Sequence, residues 1–270
     1  MKNPHRLVAS KPIKLSRCST NGKDFHSERE VAEAEFFTLR EELIEWQQRL
    51  YAEGERSLLI VLQAMDAGGK DGTIRHVLRG VNPQGVRVSS FKAPSTLELS
   101  HDFLWRIHRE VPTRGMIRFF NRSHYEDVLI VRVKNLVPKD VWSKRYDRIN
   151  EFERLLTDSG TTILKFFLHI SHEEQHERFR ARLTQPEKLW KFSPDDVEES
   201  KHWDEYQAAF EDALNKCHTE HAPWFVIPSD QKWYRNLAVC RTIVETLREM
   251  NPRYPKAVWN PDDYPLENGK

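Results

Sequence analysis

The densest chemistry in the chain lies in Gln63-Ala-Met-Asp-Ala-Gly-Gly-Lys-Asp-Gly-Thr73. Gly68, Gly69 and Gly72 leave the backbone free to turn so that successive N–H groups close around phosphate oxygens, and Lys70 adds a point charge. The strict phosphate-loop pattern, GxxxxGK followed by Ser or Thr, asks for glycine where Ala64 stands and a hydroxyl where Asp71 stands. On pattern alone, then, a plain glycine-rich turn competes; an apolar strand before the loop and a helix after it favour phosphate. Asp66 is the unusual member, because a carboxylate in a phosphate cradle repels its ligand unless Mg²⁺ lies between them. It reads as a metal ligand or as the group that positions an incoming nucleophile. The alternative is an Asx turn bonded to nearby amides.

Two further segments carry polar groups at strand ends. In Asn121-Arg-Ser-His-Tyr-Glu-Asp127, Asn121 stands where P-loop kinases place a Mg²⁺-associated carboxylate, with Glu126 and Asp127 one helical turn on. Arg122 is placed to clamp phosphate bidentately, or else to pair with Glu126 at i,i+4 for about 0.3–0.5 kcal/mol. Between Arg178 and Lys191 there are five basic residues (Arg178, Arg180, Arg182, Lys188, Lys191) and one acid, Glu187. Arg178 and Arg182 share one helical face, which suits a lid that closes over polyphosphate and excludes water; a solvated charged helix is the alternative. His172 and His176 also sit at i,i+4, but without HExxH they are a weak zinc signal.

The elements that must position these groups follow from periodicity. An apolar run at 57–62 reads as a strand, and the segments 85–91, 116–120, 162–170 and 224–227 read as four more, with helices expected around 72–80, 97–109, 122–134, 145–158 and 200–216. This alternation is the signature of a doubly wound α/β fold with a parallel sheet and helices on both faces, whose ligands lie at the carboxyl ends of the strands. A first helix is expected from Ser27 as cap, with Glu30 at capping-box spacing. Its stripe Phe36, Leu39, Leu43, Trp46, Leu50 is destined for the core or for a second subunit.

Composition bounds the reading. The 270 residues hold 39% hydrophobic and 31% charged residues, enough for a sizeable core, which excludes wholesale disorder. Lys and Arg number 42 against 41 Asp and Glu, so no global basic field points to nucleic acid. Cys18, Cys217 and Cys240 are scattered, without a CxxC, which argues against a disulfide framework and for a reducing cytoplasm. No apolar run approaches the roughly 18 residues of a membrane span, and no secretory leader is evident. Residues 1–27 are set apart as a basic N-terminal arm, 28–255 as a single domain and 256–270 as a tail. The arm either touches a polyanion or is solvated and loosely docked.

Four segments in order resemble the second polyphosphate kinase family: Ala64-Met-Asp-Ala-Gly-Gly-Lys-Asp-Gly72, Phe120-Asn-Arg-Ser-His-Tyr-Glu-Asp-Val128, Glu187-Lys-Leu-Trp-Lys-Phe192 and Ala222-Pro-Trp-Phe-Val-Ile-Pro228. The resemblance implies a P-loop nucleotide-kinase-like three-layer sandwich, a five-stranded parallel sheet and a helical lid at about 172–200. It implies Mg²⁺-dependent, reversible transfer of the terminal phosphoryl group of inorganic polyphosphate to a nucleotide. By motif position Asp66, Lys70 and Arg122 would be catalytic. Gly68, Gly69, Lys70, Gly72, Arg178, Arg182, Lys188 and Lys191 would hold phosphate or polyphosphate. Asp66, Asn121, Arg122 and Glu126 would face the nucleotide, and Asp66 and Asp127 (or Glu126) the metal. The asparagine at 121 resembles the subgroup that phosphorylates both AMP and ADP, giving ADP and ATP. The family further implies a homo-oligomer (dimer or tetramer), with no nucleic-acid or membrane partner. Two other readings stay open: an ATP-dependent nucleotide kinase of thymidylate-kinase type, and a non-catalytic polyanion-binding protein, which gains little from Asp66 beside Lys70.

Overall fold

A computed structural model describes residues 3–8 and 11–260. Its elements run α1 (Arg29–Glu53), β1 (Ser57–Ala64), α2 (Lys70–Val77), β2 (Val86–Ser90), β3 (Ile117–Asn121), α3 (Arg145–Asp158), β4 (Thr161–His169), α4 (His172–Thr184), α5 (Pro194–Ser200), α6 (Trp203–Lys216), β5 (Trp224–Pro228) and α7 (Lys232–Met250), joined by short helical turns. All five strands are parallel, in the order β2-β3-β1-β4-β5. The chain therefore has the expected five-stranded α/β sandwich.

β1 lies at the centre and is buried along its whole length, so it reads as an unbroken apolar run rather than an alternating one. Its side chains divide between two cores. Leu58, Ile60 and Leu62 meet α1, α2 and α7, whereas Leu59 and Val61 meet α3 and α6. Each such residue contributes about 1.5–3 kcal/mol through burial. The two cores clamp the sheet and fix where β1 and β3 end, which is where the polar loops begin.

Several local readings change. α1 starts at Arg29 with Glu28 in the cap position and no side-chain cap bond, so Ser27 lies one residue outside it and Glu30 is too early for a capping box. The buried stripe of α1 is Phe36, Leu39, Leu43, Gln47 and Leu50, packed against α7. Trp46 is displaced to the rim, where its Nε1 donates to Glu42 at 2.8 Å. The helix expected over 122–134 is two short pieces, His124–Val128 and Ile130–Val133, broken at Leu129 (φ −106°, ψ −91°). That over 97–109 is likewise two single turns, Thr96–Leu99 and Trp105–His108.

The N-terminal segment is docked rather than loose. His5 and Leu7 exchange backbone hydrogen bonds with Val226 and Trp224 on the free edge of β5, and Leu15 is buried. A strand edge is thereby covered, while Arg6, Lys11, Lys14 and Arg17 stay exposed. Of the tail assigned to 256–270, residues 261–270 lie outside the described residues. No described helix is long and apolar enough to cross a membrane.

Candidate active site

The loop between β1 and α2 turns through two left-handed residues, Ala67 (φ +60°) and Gly69 (φ +98°), before Lys70 opens α2. Gly68 has no room for a side chain, since a Cβ would strike Ala64. The Lys70 ammonium folds back beneath the loop and donates to the Ala64 carbonyl at 3.0 Å. Burial, and then the neighbouring Arg122 charge, lower its pKa to about 8 despite the opposing carboxylates of Asp66, Glu126 and Asp71. A phosphate brought to this loop would meet a lysine that gains affinity for its proton as it gains a partner.

β3 delivers the second loop. Asn121 Nδ2 donates to Asp71 Oδ1 at 2.6 Å, so the two strand-end loops are tied together. Arg122 adopts φ +60° and its Nη2 donates to Asp66 Oδ1 at 2.7 Å, with Glu126 Oε2 4.0 Å from its Nη1. Burial opposes the Arg122 charge, but Glu126 and Asp66 outweigh it and raise the pKa. Glu126 is itself pushed above the ordinary carboxylate value by burial, against the pull of Arg122 and Lys70. The next residue turns away: Asp127 accepts from Arg145 Nη1 at 2.8 Å and lines neither cleft described below. The structure thus brings Asp66, Lys70, Arg122, Asn121 and Glu126 together and leaves Asp127 out, because the 3-10 turn at 124–128 aims Asp127 at α3.

Beneath this loop His124 and Tyr125 are fully buried. The Tyr125 hydroxyl donates to Glu153 at 2.9 Å, and Lys165 from β4 donates to Glu153 at 2.5 Å and to Tyr125 at 2.8 Å. A fully buried ion pair of this kind is costly to break, so it pins the loop to α3 and β4.

α4 approaches from the end of β4. Gln175 Nε2 donates to the Asp66 carbonyl at 2.9 Å, and Arg178 donates to the carbonyls of Ala67 (2.9 Å) and Ser229 (2.5 Å) while pairing with Glu174 at 2.7 Å. Arg182 pairs with Asp196 of α5 at 2.5 Å. Lys188 and Lys191 line the same opening, whereas Arg180 pairs with Glu177 outside it. His176 and His172 bond to each other, 3.0 Å between Nε2 atoms. Among the described residues no group of three or more His, Cys, Asp or Glu is arranged to hold a metal ion.

Two clefts meet at these groups. One, of about 1190 Å³, runs from the glycine loop along α2, α4 and the start of α7 to α1; its walls carry thirteen Lys or Arg against six Asp or Glu among the described residues. The other, of about 1000 Å³, lies between the 122–134 segment and α5–α6, with four Lys or Arg against six Asp or Glu. Asp66, Lys92, Arg122, Lys191 and Asp196 belong to both. Sequence reasoning missed Arg235, a 2%-exposed arginine beside Gly69, and Lys134 and Tyr206 in the second cleft. The strand-end rule applied to β5 as well would have led to Arg235.

A glycine loop with its lysine at the head of the central strand, a facing arginine and an adjoining basic cleft define a phosphotransferase of the P-loop kinase class. Comparison narrows this. The Polyphosphate kinase 2 (PPK2) family profile matches residues 26–255, and the chain belongs to that family. It is 56% identical over 232 residues to the AMP/ADP-polyphosphate phosphotransferase of Meiothermus ruber, covering 86% of this chain and 87% of the relative. It is 45% identical to the ADP-polyphosphate phosphotransferase of Rhodopseudomonas palustris, covering 93% and 91%. The crystal structure of Polyphosphate Kinase 2 from Arthrobacter aurescens TC1 superposes with TM-score 0.92 at 40% identity, over 96% of this chain and 93% of that one. The protein is a kinase that transfers phosphoryl groups between polyphosphate and nucleotides.

Proposed function

We propose that the chain accepts both AMP and ADP, that inorganic polyphosphate occupies the basic cleft and the nucleotide the other, and that Mg²⁺ accompanies the reaction. The observation that carries this reading is the meeting of two clefts of unlike charge at Asp66 and Arg122. A linear polyanion is attracted along a track of excess cations, whereas a nucleotide with one or two phosphates needs few. The name of the Meiothermus ruber relative supports the dual acceptor.

In this scheme a phosphate oxygen of the acceptor attacks the terminal phosphorus of the chain. The bond to the bridging oxygen breaks, and the shortened polyphosphate leaves with the electron pair; the reverse step regenerates the longer chain. Gly68, Gly69, Gly72 and Lys70 hold the donor end, Arg122 neutralises charge where transfer occurs, and Arg178, Arg182, Lys188 and Lys191 follow the chain. α4 and α5, with the segment between them, form the lid. Asp66 and Glu126 supply two carboxylates without a cage of protein ligands, which fits a cation held partly by substrate phosphates. Such an ion would screen the phosphate oxygens from those carboxylates. Any self-association uses surfaces other than the α1 stripe, which is spent on α7.

The test incubates protein with Mg²⁺ and long-chain polyphosphate plus AMP or ADP, separating products by chromatography, with ATP plus AMP and no polyphosphate as control. ADP and then ATP from AMP, and ATP from ADP, are expected. Product only in the control would overturn the reading in favour of an ATP-dependent nucleotide kinase.

A further inference from the structure

Arg235 is a buried arginine in the site with no carboxylate bonded to it. It sits in the first turn of α7 and is 2% exposed. Its Nε and Nη2 donate to the Asn236 side chain, at 3.3 and 2.9 Å, and Nη1 donates to nothing among the described residues. Burial, then the neighbouring Arg178, lower its pKa to about 9; the one opposing carboxylate, Glu174, is already bonded to Arg178 at 2.7 Å. The backbone makes way for it: a Cβ on Gly69 would collide with Arg235 Nη1 and stand 3.4 Å from Arg178 Nη1, and one on Gly72 would stand 3.4 Å from Arg235 Nη2. A buried guanidinium beside a second one, pressed against the glycine loop, is destabilising until an anion arrives.

Its position selects which anion. Arg235 lines the basic cleft and not the other, whereas Asp66 and Arg122 line both. It therefore lies behind the point of transfer, on the donor's side. We propose that Arg235, with Arg178, grips the phosphate next to the one transferred, so that its Nη1 donates to the oxyanion that forms when the terminal P–O bond breaks and the shortened chain takes the electron pair. This rests on the assignment of polyphosphate to the basic cleft.

Arg235→Met separates this role from a structural one. A brace would lose both stability and activity when removed; an uncompensated cation loses only activity. The unliganded variant is expected to melt no lower than the wild type, on the order of 2 °C higher, with kcat/KM for polyphosphate reduced roughly 100-fold. Long-chain polyphosphate alone, without nucleotide or metal, should raise the wild-type Tm by about 5 °C near saturation and leave the variant's nearly unmoved. Arg235→Lys, which keeps the charge but not the fork, should retain part of that shift. An equal shift in wild type and Arg235→Met, or a Tm several degrees below wild type in the absence of ligand, would overturn the proposal. No shift in the wild type would instead overturn the cleft assignment on which it rests.

Discussion

The two clefts are built from the same strand ends yet differ in what they ask of a ligand. The basic cleft is walled by α2, α4 and the start of α7, and its cations outnumber its acids by about two to one. Many of those cations are occupied locally: Arg178 by Glu174 and two carbonyls, Arg182 by Asp196, Lys70 by the Ala64 carbonyl. The second cleft has excess acid, and its one cation outside the shared set, Lys134, is bound to Glu199 at 2.8 Å. Net charge near the middle, which gives no global basic field, thus conceals local segregation. A protein with 42 basic and 41 acidic residues can present a cationic groove to one substrate and a modestly acidic pocket to the other, with Asp66 and Arg122 as the seam.

That contrast breaks first at the seam. Asp66→Ala or Lys70→Ala should lower turnover with every substrate pair by about 10³-fold, with circular dichroism and gel filtration unchanged; near-normal product formation from a folded Asp66→Ala protein would remove the mechanism. Glu126→Gln lies on the nucleotide side only, so kcat/KM for ADP should fall roughly tenfold while the KM for polyphosphate holds. Equal damage to both substrates would erase the distinction between the clefts.

Acid–base behaviour sharpens it further. Because the Lys70 pKa is lowered from 10.5 to about 8, kcat/KM for polyphosphate should decline above pH 8 by about tenfold per unit as the free enzyme loses that proton. The unfolded chain binds the proton more tightly between 8 and 10.5, so this one group makes the fold more stable as pH rises through the same interval. Activity and melting temperature should therefore part company there; activity flat to pH 10 would mean that Lys70 remains charged. The smallest effect is expected from Lys188→Ala, a half-buried cation at the opening of the basic cleft, at about two- to fivefold in polyphosphate KM, lessened by added salt and absent from the KM for nucleotide.

The sheet was legible because β1, β4 and β5 are largely apolar segments that the parallel sheet buries, with β2 a more exposed edge strand, and the glycine loop because Gly68 and Gly69 answer steric demands at a known place. What escaped has physical causes. Gln47 occupies a buried position on α1 against Gly85, which only the fold reveals, so periodicity nominated Trp46. The 122–134 segment carries helical spacing, but Arg122 at φ +60° and the break at Leu129 re-aim it, which sends Asp127 to Arg145 rather than to the site. His124 and Tyr125 look like site polar groups in the motif and prove to be anchors, bonded to the Glu153–Lys165 pair across the sheet. Arg235 escaped because nothing near it in sequence resembles a phosphate motif; only the strand-end rule, followed past β5 into the first turn of α7, reaches it.

The assignment of substrates to clefts is tested most directly by lysine acetylation read by mass spectrometry, with polyphosphate alone and with ADP alone. Polyphosphate should protect Lys188 and Lys232 and leave Lys134 reactive, while ADP should protect Lys134 and spare Lys232. Protection of Lys134 by polyphosphate, with Lys188 and Lys232 still modified, would contradict the account.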